Sequence, residues 1–199
     1  MSEAAVQLDE YRTQDLRALA DRLLEVIKVE YVDEGVLLIM NPPGIEHRRI
    51  VRSINDSVKR AYYTSQISVN WDIDENYRWD LPDGSGRFYI PDLVFIRPGA
   101  KTVEEERAAI VMVVEVTSPT SPDTVFNDRS VKPAEYARGG VPFYLLVDQE
   151  LGRWTLHGLA EGWQRYQVAA DGDYGEDIPL PPPLSFSIPT ADWPRWHSL

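Results

Sequence analysis

The chain has 199 residues, no cysteine and a formal net charge of −12 from 20 basic and 32 acidic side chains. That length fits one domain (residues 1–199) with peripheral additions, and the missing cysteines exclude a disulfide framework and thiolate metal sites. The acidity argues against a broad, unselective grip on nucleic acid, and no apolar run resembles a signal peptide or approaches the ~20 residues of a membrane span, so a soluble, cytoplasmic protein without membrane contact is expected.

Residues 1–14 are polar and read as a loose start. From Asp15, "DLRALADRLLEVIKVE" sets Leu16, Leu19, Leu23 and Val26 on one face and predicts an amphipathic helix. "KVEYVDEGVLLIMNPP" carries two β-rich runs around Asp33-Glu34-Gly35, a hairpin signal. "GIEHRRIVRSINDSVKRAYY" predicts a second helix, with Ile50, Ile54 and Val58 as its apolar stripe. Glu46 lies one turn earlier on that stripe. His47, one position round, reads as a partly exposed helix residue.

From Gln66 to Arg97 the pattern is β, in "ISVNWDI", "NYRWDL" and "RFYIPDLVFIRPG", with a turn at Asp83-Gly84-Ser85-Gly86. "IVMVVEV" reads as a strand buried on both faces. "TSPTSPDTVFNDRS" reads as a loop, "KPAEYARGG" as a short helix closed by Gly139-Gly140, and "VPFYLLVD" as another buried strand. "GRWTLHGL" and "GWQRYQVA" predict an antiparallel ribbon. "IPLPPPLSFSIP" opens an extended proline-rich tail over 178–199, which either packs on the surface or acts as a linker.

Glu115 stands inside the most apolar of these runs. A buried carboxylate costs several kcal/mol unless it is paired or stays protonated. Asp92, 23 residues earlier, is the second acid set among apolar strand residues. If two neighbouring strands bring these carboxylates together in a dry site, they repel, and a hard divalent cation removes the penalty. Replacing Glu115 by Gln then stabilises the metal-free protein; if hydrogen bonds or an arginine hold Glu115, the same change destabilises it. The plainer alternatives stay open. Asp92 after Pro91 also suits a turn, Glu115 also suits a solvated sheet edge, Glu46 suits the positive end of a helix dipole, and Lys132 suits a surface charge.

"PDLVFI", then "VVEVTSPTS", then Asp128, Lys132 and Tyr136 in "DRSVKPAEYARGGVPFYLLVD" resemble, in that order, the Uma-two family of restriction endonucleases, within the PD-(D/E)XK nuclease superfamily. "GIEHRRI" resembles the family's early helix with its Glu-His pair. The resemblance runs from about Leu38 to Asp148. It implies an α+β fold with a mixed sheet flanked by helices, the C-terminal ribbon being an addition. It also implies a Mg²⁺ or Mn²⁺ site with Asp92 and Glu115 as ligands, Glu46 as a further acid, and His47, Thr117, Asp128 and Tyr136 in support. The superfamily usually has a lysine two residues after the second acid. Here that position is Thr117, and the family places its lysine on the following helix, at Lys132. Pro133 disfavours helical geometry at Lys132 and predicts a helix starting at Pro133.

The implied activity is metal-dependent hydrolysis of phosphodiesters in DNA, by a chain that forms a homodimer if two sites are needed to cut both strands. Nucleic acid would meet a local basic patch on the second helix, Arg48, Arg49, Arg52, Lys59 and Arg60, of which Arg48, Arg52 and Lys59 recur at near-helical spacing; the patch also suits an ordinary solvated face. The rival readings are a non-catalytic binding or regulatory module on the same fold, and a metal-free carboxylate-pair glycosidase.

Overall fold

The computed structural model describes residues 43–117 and 125–196, together with strand residues 29–33 and 36–39 and the single residue 19. The helix expected from Asp15, residues 118–124 of the loop and the last three residues of the tail lie outside the described residues.

Two compact units divide the chain, one made of Met1–Pro43 with Asn76–Pro91, the other of Gly44–Glu75 with Asp92–Leu199. The first carries a four-stranded antiparallel sheet. The expected hairpin is there, β1 (Val29–Asp33) against β2 (Val36–Ile39), and the order continues from β1 to β5 (Phe88–Tyr89) and β4 (Trp79–Asp80). The Trp79 and Tyr89 rings stack at 6.4 Å between centroids.

The second unit holds a six-stranded sheet in the order β10 (Tyr166–Asp173), β9 (Arg153–Leu159), β8 (Phe143–Asp148), β7 (Ile110–Val116), β6 (Leu93–Ile96), β3 (Asp72–Asp74). All neighbours are antiparallel except β7 and β8, which are parallel. A parallel pair needs a crossover connection, and the chain between β7 and β8 supplies it with helix α3 (Lys132–Arg138). Helix α1 (Ile45–Tyr63) puts its expected stripe, Ile50, Ile54 and Val58, into the core with Leu93, Val114, Val116, Leu145 and Val147. Every residue of β7 is buried, as its composition requires.

Several expectations change here. "RFYIPDLVFIRPG" is not one strand: it breaks at Pro91-Asp92 into β5 and β6, which belong to different sheets. Proline has no N–H to give a ladder, so it ends pairing there. Helix α2 (Val103–Ala109) follows a cap that sequence reading passed over: Thr102 Oγ1 accepts from the Glu105 N–H at 3.2 Å, and Glu105 Oε2 accepts from the Lys101 N–H at 2.8 Å. The loop "TSPTSPDTVFNDRS" turns helical from Val125, through one widened turn over Asn127–Val131 that runs into α3. Lys132 is therefore helical (φ −57°, ψ −41°) rather than standing ahead of the helix. Gly140, at φ +77°, ends the segment in a conformation that costs glycine nothing.

The C-terminal ribbon is not an appendage, because β9 pairs along its length with β8 and extends the main sheet. Ile178–Pro179 (β11) pairs with Ser187–Ile188 (β12) in the proline-rich tail, and Ile178, Leu180, Leu184, Phe186, Ile188 and Trp193 are buried in the same core as α1. That stretch packs; it is not a spacer.

Candidate active site

The β6–β7 register pairs Leu93 with Val114. Just before that pair, the Asp92 N–H donates to the Val114 carbonyl at 3.1 Å. The two acids singled out in the sequence therefore lie at one end of one strand pair.

Each carboxylate is already engaged. Asp92 Oδ2 accepts from the Val116 backbone N–H at 2.8 Å, where the backbone ladder has ended, and contacts His47 Nε2 at 2.9 Å. His47 comes from the first turn of α1 and is 7% exposed, not partly exposed as expected. Its Nδ1 is buried with no hydrogen-bond partner. Glu115 Oε1 accepts from Lys132 Nζ and from the Tyr136 hydroxyl, both at 3.0 Å. Lys132 Nζ also lies 3.0 Å from Asp128 Oδ1.

Glu115, Lys132 and Asp128 are each 2% exposed or less. The buried acid is thus held by a lysine and a hydroxyl, both from α3. The helical extension ahead of Pro133 makes this possible: Asp128 and Lys132, four residues apart, face one another only if the turn over 127–131 is helical. The Tyr144 hydroxyl donates to the Asp128 carbonyl at 2.7 Å. Burial, then the charges of Asp128 and Glu115, push that hydroxyl far above its ordinary titration range, so it stays a donor.

Thr117, at the position of the superfamily's usual lysine, is fully buried. Its Oγ1 accepts from the Gln149 N–H at 3.0 Å. The Gln149 amide, oriented to satisfy both neighbours, donates to the Thr117 carbonyl at 2.9 Å and accepts from the His47 N–H at 3.1 Å. Gln149, which sequence reading did not single out, therefore ties the end of β7 to the start of α1. Its only sequence signal is a second polar residue, after Asp148, at the end of the apolar run of β8. Glu46 stays at the helix N-terminus, partly exposed, with Oε2 3.5 Å from where a Cβ on Gly44 would stand. Arg48, Arg52 and Lys59 are exposed on α1.

Two carboxylates, Glu115 and Asp128, share the Lys132 ammonium, so this buried group carries one negative charge more than it has positive. Among the described residues no group of three or more His, Asp or Glu forms a metal set. The donors are nevertheless hard oxygens, and Mg²⁺ is usually held by one or two carboxylates while keeping several waters. Asp92 and Glu115 fit that mode of binding.

A family model described as "Uma2: Putative restriction endonuclease" matches residues 13–191. Among solved structures, that of a "putative nuclease belonging to DUF820" from Anabaena variabilis superposes with a TM-score of 0.56 at 15% identity, covering 84% of this chain and 93% of that one. At that identity the likeness is one of fold. No curated protein matches the chain.

Proposed function

The chain belongs to the Uma2 family, and on that premise we propose that it is a divalent-metal-dependent endonuclease that hydrolyses phosphodiester bonds in DNA. The observation that carries the reading is that Asp92 and Glu115 lie at the same end of the β6–β7 pair, with Lys132 Nζ 3.0 Å from Glu115.

Asp92 and Glu115 are the residues that would hold Mg²⁺ or Mn²⁺, whose chemistry there is to polarise a phosphate oxygen and acidify a bound water. The protein's own groups do the rest. His47 and the Val116 N–H fix the Asp92 carboxylate from two directions. Tyr136 fixes Glu115. Lys132 sets a positive charge 3.0 Å from Glu115, and its ammonium would offset the negative charge that builds on the phosphate during attack. Asp128 shares Lys132, so the ammonium has a second partner to turn to when Glu115 engages a cation. Cutting both strands of a duplex takes two sites or two visits, and the proposal extends to a homodimer.

A specific observation favours one second reading, a non-catalytic module on the nuclease fold: Thr117 is locked in place by Gln149 and is not free to take the part of the usual lysine. The two readings part on one assay. Plasmid DNA is incubated with Mg²⁺ or Mn²⁺ and wild type, Asp92→Asn or Glu115→Gln, and metal binding is followed by calorimetry. Cleavage by the wild type that drops by about 10²–10³-fold in both variants, a loss typical of one removed electrostatic group, supports the nuclease. Metal binding without cleavage supports the module, and unimpaired cleavage by either variant removes the proposed site.

A further inference from the structure

A groove of about 270 Å³ runs along α1, lined by Arg49, Arg52, Ser53, Asp56, Ser57 and Arg60 and closed by Pro189 and Asp192 of the tail. Elsewhere in the protein, Arg78, Arg87, Arg129, Arg138 and Arg153 each pair with a carboxylate. Among the described residues, Arg49, Arg52 and Arg60 do not, although Asp56 and Asp192 line the same groove. In a chain with 32 acids, three arginines without a carboxylate around one groove mark a place built for an anion. The wall is fixed from below: the Trp193 indole N–H donates to Ser53 Oγ at 3.0 Å, and the Ser57 hydroxyl donates to the Ser53 carbonyl at 2.8 Å.

The spacing selects the kind of anion. From Arg49 to Arg60 the helix advances 60 − 49 = 11 residues, about 16 Å at 1.5 Å per residue. Parallel to the axis of duplex DNA the phosphates of one strand advance about 3.4 Å each, so arginines aligned with that axis span roughly five nucleotides. A single phosphate has no use for cations spread over that length; a polyanion does. The same helix carries His47 on Asp92 at its N-terminal end. We infer that Arg49, Arg52 and Arg60 form a track for the phosphodiester backbone of duplex DNA leading away from the candidate active site. The inference rests on the nuclease reading for its choice of polymer.

Binding is measured by fluorescence anisotropy with two labelled 20-base-pair duplexes of unrelated sequence, in EDTA so that no cleavage intervenes, across a salt series. Backbone contacts predict equal affinity for both duplexes. Each Arg→Ala change lowers the slope of log K against log salt by about 0.9. Between 50 and 200 mM salt the wild type then loses roughly 40-fold more affinity than the triple variant. Asp56→Asn, which removes an opposing charge, tightens binding, an effect that damage to the fold cannot imitate.

A triple variant with unchanged affinity and slope overturns the track, as does a wild type that binds neither duplex. So does binding that millimolar inorganic phosphate abolishes at constant ionic strength, which would assign the groove to a small anion. Cleavage assays with Mg²⁺ or Mn²⁺ separate this from the premise. Cleavage with unchanged KM in the triple variant removes the track and leaves the nuclease; arginine-dependent binding without cleavage removes the nuclease and leaves the track.

Discussion

Asp92 and Glu115 lie at one end of the same strand pair, yet they are held in different ways. Asp92, with 11% of its side chain exposed, stands before β6 starts and is served by a backbone N–H and an imidazole. Glu115, 2% exposed, lies inside β7 and is served by an ammonium and a phenol. The difference follows from solvent. A carboxylate at the rim keeps part of its hydration and needs only hydrogen bonds. One inside the sheet has lost that hydration and is tolerable only beside a full opposite charge. Two acids that look alike in the sequence therefore have different jobs in the fold: Glu115 is knit into α3, whereas Asp92 is the adaptable one.

The largest expected effect comes from removing the Lys132 ammonium from the buried side. Lys132→Met keeps the volume but leaves Glu115 and Asp128 facing each other without it, and urea denaturation should show a loss of about 3–5 kcal/mol, the usual result of breaking a buried pair from one side. A loss below 1 kcal/mol would show that Lys132 does not sustain the buried carboxylates.

Glu115→Gln comes next. Repulsion between two uncompensated carboxylates would make this change stabilising in the metal-free protein. With Lys132 and Tyr136 on the carboxylate, the sign reverses: the amide still accepts from Tyr136 but loses the charge-assisted bond. A cost of about 1.5–3 kcal/mol is expected, read from paired thermal melts in EDTA. A mutant that melts higher than wild type would restore the repulsion picture and erase the contrast between the two acids.

Asp92→Asn should cost least, about 0.5–1.5 kcal/mol, because an amide oxygen can still accept the Val116 N–H. Its signature lies in the metal response. Mg²⁺ or Mn²⁺ should raise the wild-type melting temperature by mass action and raise that of Asp92→Asn much less. If both proteins respond equally, Asp92 is not a ligand, and the comparison reduces to two structural acids in different solvents.

Much of the fold was written in local patterns. The Ile50-Ile54-Val58 stripe set which face of α1 turns inward, the run "IVMVVEV" announced a strand covered on both faces, and the acid inside it announced a site. These readings work because burial repeats with the period of the backbone. The errors have physical causes too. "RFYIPDLVFIRPG" reads as one strand because propensity does not record which sheet a residue joins. Pro133 argued against a helical Lys132, but the widened turn over Asn127–Val131 accommodates it, and no composition signal marks such a turn.

The partners of the acids were the part only the tertiary structure decided. His47 lies 45 residues from Asp92, and Lys132 lies 17 from Glu115; no local period links either pair. By itself the sequence determined that Glu115 must be compensated, since that follows from its apolar neighbours and the cost of a dry charge. Which residue compensates it depends on where α3 crosses the sheet, and the crossover is set by the parallel pairing of β7 with β8, a contact between strands with no counterpart in the order of the residues.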